Sequence, residues 1–284
     1  MERPPYLLVV SDPDPVAQRV AELWGTLPAT GGHVDGAPIR TLPSGALLLR
    51  RAAHHIHDEQ LDRLLPEELR RQGTTLVFPS IHRSERNVPC LTVHPLGNPG
   101  PNADVGGRPR ALVPTDPHRM ADALRRLDER EGEVGLKVTF EATHHGPYLE
   151  LPAFFVEIGY GTLAAPPVEA VRALAAVLPD LEISGRDRVA LAVGGGHYAP
   201  HFTELVKERD WAFGHILSRH ALLELDRETA RRAYEATPGA EGIVAARVED
   251  LNLPALAGVA PRMRDAEAPR RSRDASPTAA ASGT

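Results

Sequence analysis

The sequence predicts an α/β protein whose helices flank a mostly parallel or mixed central sheet. Three observations carry that prediction. Short runs dense in Val, Ile, Leu and Phe recur along the chain, as strands covered on both faces require. Amphipathic stretches alternate with them, the order that builds βαβ units. With 284 residues, 42% of them hydrophobic, the chain can also bury a substantial core.

Tyr6 to Ser11 reads as the first strand, and Asp14-Pro15 caps and opens a helix through about Trp24. Gly45 to Arg51 reads as a strand, Asp58 to Gln72 as an amphipathic helix, and Thr74 to Pro79 as a third apolar strand. Pro89 to Val93 forms a strand that holds Cys90. Pro95 to Pro117 is rich in Gly, Pro and Asn and reads as a long loop. Pro117 to Glu131 places Met120, Leu124 and Leu127 on one helical stripe. Leu136 to Thr143 and Ala153 to Ile158 are strands, and Pro167 to Leu178 is a helix. Arg188 to Val193 is a strand, Phe202 to Arg209 and Arg219 to Ala236 are helices, and Gly242 to Arg247 is a last strand. Residues 1–260 are therefore expected to form one α/β domain, with room for a smaller inserted subdomain. Residues 261–284, rich in Arg, Ala, Ser and Pro, read as a disordered tail.

Composition excludes several function classes. No apolar run approaches the roughly 18 residues of a membrane span, and Tyr6 to Val10 is too short for a signal peptide. A cytoplasmic protein is expected, with no membrane and no obligate protein partner. The single cysteine, Cys90, rules out an internal disulfide and reads as an inert apolar residue. Any metal must then be held by His, Asp and Glu. The net charge of −6 leaves any nucleic acid to a local basic patch.

Two glycine-bearing loops concentrate the histidines: Thr143-His144-His145-Gly146-Pro147 and Gly194-Gly195-Gly196-His197-Tyr198-Ala199-Pro200-His201. Each follows an apolar strand. In open α/β sheets, ligands bind beyond the carboxyl ends of strands, where imidazoles can take protons, hold metal or polarise a substrate. Ser80-Ile81-His82-Arg83-Ser84-Glu85, His94 to Asn98 and Glu157 to Gly161 also fall at strand ends, so all are expected at one rim of the sheet. The glycines serve either a tight turn or an anion cradle, and no Walker lysine follows them. His54, His55 and His57 read as a solvated helix approach, His220 as surface, and His215 as a residue able to line the cleft.

Taken together, Ser80-x-His82, Leu91-Thr92-Val93-His94-x-x-Gly97-Asn98, Thr143 to Pro147, Phe155 to Gly159, Gly194 to Pro200 and Gly214-His215-Ile216 resemble the archaeal and plant type of D-aminoacyl-tRNA deacylase. The matches run in family order over roughly residues 5 to 250. The resemblance implies a fold similar to peptidyl-tRNA hydrolases and nucleoside phosphorylases. It implies hydrolysis of the ester between a D-amino acid, N-alkylated adducts included, and the terminal adenosine of tRNA. It also implies a dependence on zinc. His201 departs from the longer basic side chain expected at that position in relatives.

On this reading His144, His145, Glu157 and His197 hold the zinc and carry catalysis, and Thr143 orients a water. Ser80, His82, His94, Asn98, Gly146, Pro147, Gly195, Gly196, Tyr198 and His215 contact substrate, with His82 and His94 as second-rank or alternative ligands. The wall that discriminates D from L substrates is sought at Gly146-Pro147 or at Phe154 and Phe155. Arg83, Arg86, Arg108, Arg110 and Lys207 are expected to meet tRNA phosphates. Three other readings stay open: a peptidyl-tRNA hydrolase-like enzyme, a small-molecule metal-dependent hydrolase, and a non-catalytic binder of tRNA ends.

Overall fold

The computed structural model describes residues 5–83 and 88–265. Ser84, Glu85, Arg86 and the tail beyond 265 lie outside the described residues. Strand β1 (Tyr6–Ser11) leads into helix α1 (Pro15–Trp24). Asp14 caps that helix by accepting from the amides of Val16 and Ala17, both at 2.8 Å, and Pro15 fills a first-turn position that needs no donor. A hairpin, β2 (Ala29–Val34) and β3 (Ala37–Thr41), precedes β4 (Leu47–Arg51). It escaped the sequence reading because β2 is largely exposed and glycine-bearing, with little apolar alternation.

The helix expected over Asp58 to Gln72 is instead one 3-10 turn, Leu61–Leu64, and a short α2 (Glu67–Arg71), with another 3-10 turn, His55–His57, just before it. Pro66 interrupts the segment. Two acids are also drawn away from it, Asp58 to Arg51 and Asp62 to the amides of Glu150 and Leu151. Then come β5 (Thr75–His82), β6 (Cys90–Pro95), the short pair β7 (Gly97–Asn98) and β8 (Ala111–Leu112), α3 (Pro117–Asp128), α4 (Glu131–Val134), β9 (Lys137–Phe140), β10 (Ala153–Gly159) and α5 (Val168–Val177).

Eight strands form one sheet in the order β2-β3-β4-β1-β5-β10-β6-β9. The centre, β4-β1-β5-β10, is parallel, whereas β6 runs antiparallel to β10 and β9 follows β6. One face of this sheet presents Val77, Phe154, Val156, Ile158, Leu91, Val93 and Phe140, all fully buried. It packs against α1, α3 and α5. Each such side chain contributes roughly 1.5–3 kcal/mol of hydrophobic stabilisation. The other face carries the polar residues described below.

A second sheet follows. It comprises β11 (Arg188–Val193), β12 (Trp211–Leu217), β13 (Ala240–Ala245) and β14 (Met263–Asp265), all parallel in the order β12-β11-β13-β14. Helix α6 (Pro200–Glu208) links its first two strands. The expected Arg219 to Ala236 helix is α7 (Arg219–Leu223) and α8 (Arg227–Glu235), because Ser218 and Asp226 each cap a separate start. Strand β14 lies inside the segment expected to be tail, so ordered structure runs to at least Asp265. Helix α3 touches strands of both sheets, and no described helix is long and apolar enough to cross a membrane.

Candidate active site on one face of the first sheet

Strand register assembles the site. Phe155 on β10 is flanked by Phe78 on β5 and His94 on β6. Glu141, one residue past β9, donates its amide to Val93 and so stands beside His94. Two positions on, Glu157 is flanked by Ser80 and Thr92, and beyond it Gly159 sits between His82 and Cys90. Residues paired across strands share a face, so Phe78, Ser80, His82, Phe155, Glu157, Thr92, His94 and Glu141 lie on one surface. The site is thus a sheet face, and the expectation of a single rim fails. Because β6 and β9 run antiparallel to β10, their ends do not gather where those of β5 and β10 do.

Two loops cover this face. The segment after β9 carries His144 and His145, and Leu96 bridges His144. The segment after β11 crosses from the second sheet: Ala142 donates to the carbonyl of His197 (2.8 Å), Ala199 donates to that of Phe140, and Glu141 bridges Tyr198. His197 arrives by this route. Gly194 is required there, since it holds φ 97° and an added Cβ would lie 2.4 Å from Asp250 Oδ2. His145 itself holds φ 44°, a left-handed conformation that costs a residue with a side chain about 1–3 kcal/mol.

Three imidazoles are pre-set by backbone. His94 donates from Nδ1 to Pro95 O (3.2 Å), His144 to Ala142 O (2.8 Å) and His145 to Gly146 O (2.7 Å). A neutral ring that gives its Nδ1 proton to a carbonyl leaves Nε2 bare, as in His144 and His145, whereas His94 also turns Nε2 toward Glu157 Oε1 at 3.6 Å. The donor atoms of these three lie within 4.8 Å of one another, as do those of His82, Glu141 and His197 and those of His94, Glu141 and Glu157. Phe155 is the floor. His94 stacks on its ring at 5.1 Å and 6°, and His145 meets it edge-on at 5.1 Å.

The charge pattern is polarised. His82 Nδ1 lies 2.9 Å from Glu141 Oε1 and donates to Glu157 Oε2 at 3.2 Å, while its Nε2 reaches the Tyr198 hydroxyl at 3.0 Å. Burial pushes the His82 imidazole down, but the two carboxylates outweigh it and hold its pKa up to about 10. Burial likewise opposes charge on Glu157 and Glu141. The bonds from His82 and His94 to the first, and from His197 and His82 to the second, nevertheless keep both well below the carboxylate range. His144 and His145 go the other way: burial and the neighbouring His94 hold His144 well below its ordinary value and His145 near 4. Burial opposes charge on His94 as well, but Glu157 draws its pKa up, so two carboxylates sit among the charged His82, the upward-shifted His94 and two neutral imidazoles.

Several expected contacts are placed elsewhere. Ser80, 1% exposed, donates to Asp14 Oδ2 at 3.1 Å and meets His55 Nε2 at 3.0 Å, so its hydroxyl is engaged inside the core. His55 is correspondingly buried rather than solvated. Thr143 Oγ1 accepts from the Ile216 amide and bonds His215 Nδ1, both at 3.0 Å. Because His215 Nε2 donates to Val113 O, its Nδ1 must accept the Thr143 proton. Thr143 therefore has no proton left for a water, and His215, fully buried, does not line the cleft. Phe154 faces the helices on the side away from the cluster, whereas Phe155, Gly146 and Pro147 are buried beside it. A side chain on Gly146 would lie 2.2 Å from the Gly107 amide, and Asn98 holds the same loop through Gly106 O. Gly195 and Gly196 are more open, but α6 begins four residues after Gly196, so they are not its N-terminus. Cys90 is buried with its thiol pushed up to about 11 by burial.

The quartet His144, His145, Glu157 and His197 is not among the grouped donor sets; His94, His82 and Glu141 complete them. Glu141 was missed. Its signal was an acid between Phe140 and Ala142, three residues before His144, in a stretch otherwise fit for burial. Of the expected phosphate contacts, Lys207 pairs with Asp128 and Glu204, and Arg110 with Asp226. Arg83 and Arg108 are exposed.

The family model described as D-aminoacyl-tRNA deacylase matches residues 70–254. The chain belongs to the D-aminoacyl-tRNA deacylase family. A D-aminoacyl-tRNA deacylase of Thermoplasma acidophilum is 38% identical over 242 residues, covering 84% of this chain and 89% of that protein. One of Pyrococcus abyssi is 35% identical over 211 residues, covering 72% and 76%. A crystal structure described as a conserved protein of unknown function superposes with a TM-score of 0.77 at 25% identity, covering 94% of this chain and 96% of that one.

Proposed function

We propose that this protein hydrolyses the ester joining a D-amino acid to the terminal adenosine of tRNA, in the cytoplasm, with the cluster around Glu141 and Glu157 as its active site and zinc as its cofactor. The observation that carries the reading is the set of three backbone-anchored imidazoles, His94, His144 and His145, whose donor atoms converge beside two buried carboxylates. Metal-binding histidines characteristically give their other nitrogen to a backbone carbonyl or carboxylate, as all three do. His94 Nε2 and both oxygens of Glu141 are also buried without an aligned hydrogen bond among the described residues. This donor set fits zinc, which takes imidazole nitrogen and carboxylate oxygen. His94, His144 and His145 would hold it; the donor atoms of His82, Glu141 and His197 also lie together, but His82 spends both nitrogens on Glu157 and Tyr198. When bound, the ion supplies a Lewis acid for the ester carbonyl and acidifies the attacking water.

The remaining chemistry belongs to the chain. His82, protonated between two carboxylates, fixes both of them and donates to Tyr198, which stands at the half-buried edge of the cluster. His197 is 44% exposed, with Nε2 3.3 Å from Glu141 Oε2, which makes it the imidazole best placed to pass a proton between the interior and substrate. An aminoacyl ester is labile, so positioning and charge stabilisation suffice.

The test is deacylation of matched D- and L-tyrosyl-tRNA. Rapid release from the D form alone supports the reading. Binding without turnover would favour a non-catalytic role, and cleavage of N-blocked peptidyl-tRNA would favour the peptidyl hydrolase.

A further inference from the structure

Resting on that reading, we infer that Arg108, lying flat on Tyr148, is the ledge on which the terminal adenine of the substrate stacks. The guanidinium carbon stands 4.1 Å from the centre of the Tyr148 ring. Both residues adjoin the histidine cluster: Tyr148 is three residues past His145, and the loop bearing Arg108 is fastened to the same turn. Gly146 donates to Val105 O at 3.1 Å, and a single carboxylate, Glu59, accepts from the amides of both Gly107 and Tyr148. The ledge is therefore rigid relative to His145.

Arginines around the site are mostly neutralised: Arg51 by Asp58 and Asp35, Arg63 by Glu150, Arg110 by Asp226 and Arg219 by Asp250. Arg108 is exposed and, among the described residues, forms no close ion pair, although its charge acts on Glu150, the partner of Arg63. With the Gln60 amide turned so that its oxygen faces the arginines, that oxygen accepts from Arg108 Nη2 at 3.2 Å. One edge of the guanidinium is thus engaged and one face lies on tyrosine, while the residue as a whole is exposed. A flat, cationic, solvent-facing plane suits a purine ring better than a point charge would suit it. In an aminoacyl adenosine the base lies one ribose away from the ester, which matches a ledge beside the histidines rather than among them. The shape of this contact assigns Arg108 to base stacking instead of to phosphate.

The experiment uses a short oligonucleotide ending in CCA, with 2-aminopurine in place of the terminal adenine. Binding is followed by fluorescence quenching, alongside deacylation of D-tyrosyl-tRNA and hydrolysis of D-tyrosine ethyl ester. The variants are Arg108→Ala, Arg108→Lys and Tyr148→Leu. Stacking on one residue predicts that both arginine variants lose quenching and raise KM for the tRNA by about tenfold, with kcat unchanged. Tyr148→Leu should show a smaller loss in the same direction, and all three should hydrolyse the ethyl ester as wild type does. A Lys variant that binds and quenches like wild type would overturn the ledge, since charge alone would then suffice. Unchanged quenching in Arg108→Ala would do the same. Should wild type quench the oligonucleotide yet leave D-tyrosyl-tRNA intact, the hydrolase reading falls and the ledge stands.

Discussion

Phe154 and Phe155 are adjacent, equally buried and on opposite faces of one strand, which makes them a built-in controlled experiment. Phe154 belongs to the apolar face that meets the helices. Phe155 is the floor under His94 and His145 and also contacts Phe78, at 4.9 Å and 22°. Replacing either by leucine removes part of a ring from a fully packed position, at a cost of about 1–2 kcal/mol. Phe155→Leu additionally loses its two stacked partners, Phe78 and His94, each worth about 1 kcal/mol beyond burial, so it should cost about 3–4 kcal/mol. The functional consequences should diverge more sharply. Without its flat neighbour His94 can tilt, and loss of such support to a metal ligand typically weakens metal affinity by about 10–100-fold. Urea denaturation gives the stabilities, competition with a chromogenic chelator gives zinc affinity, and kcat/KM on D-tyrosyl-tRNA gives function. Phe155→Leu should lose at least about tenfold in zinc affinity and in kcat/KM, with Phe154→Leu near wild type in both. Equal loss in the two variants would refute the platform and leave only generic core damage.

Other perturbations address separate links. Glu141→Gln removes the carboxylate nearest His82, His144 and His197; metal content after dialysis should fall and kcat/KM drop by about 10–100-fold. Chelation of wild type should abolish activity and stoichiometric zinc restore it, so a fully active stripped enzyme would remove zinc from the scheme. Thr143→Val strands the Ile216 amide and His215 Nδ1, so it should destabilise by about 2 kcal/mol with Thr143→Ser near neutral. A large kcat loss at unchanged urea midpoint would instead return Thr143 to the chemistry. His215 is held near 3 by burial, against the upward pull of its bond to Val113 O. Its folded value is below the unfolded one of about 6.5, so it contributes stability above that pH. The contribution is lost as pH falls from about 6.5 toward 3, at about 1.4 kcal/mol per pH unit. Urea midpoints measured at intervals from pH 7 to 4 should show this decline, and His215→Asn should make it shallower, with His55, His144 and His145 contributing the slope that remains.

Where the chain is apolar and periodic, sequence was enough. Arg188 to Val193 and the helix opened by Asp14-Pro15 are found where pattern and cap place them. The hairpin β2–β3 and strand β12 were not legible for opposite reasons. The hairpin strand β2 is exposed and carries its glycines outside any apolar rhythm, while β12 (Trp211-Ala212-Phe213-Gly214-His215-Ile216-Leu217) is so evenly buried that no periodicity separates strand from helix. The direction of β6 was out of reach as well. A run of apolar residues has no arrow, and whether it enters parallel or antiparallel depends on what the preceding segment does in space.

That missing arrow decides how the site is built. Polar residues at every second position of β5, β6, β10 and the extended β9 (Ser80 and His82, Thr92 and His94, Glu157, Thr139 and Glu141) are the strand period written in chemistry rather than in hydrophobicity. Each strand alone shows an apolar run with one or two interruptions, which looks like noise. Only lateral pairing aligns the interruptions into rows across four strands, with His94 beside Phe155 and Glu157 between Ser80 and Thr92. A carboxylate in such a row has two ways to exist: neutral and solitary, or ionised and surrounded by donors. Glu141 and Glu157 are ionised because His82 was drawn from β5, His94 from β6 and His197 from the far sheet. The buried charge therefore adds a link between the sheets to the backbone bonds and the α3 packing that already join them. A variant that neutralises both acids should loosen the 194–198 loop before it disturbs either sheet, seen as faster amide exchange confined to that loop.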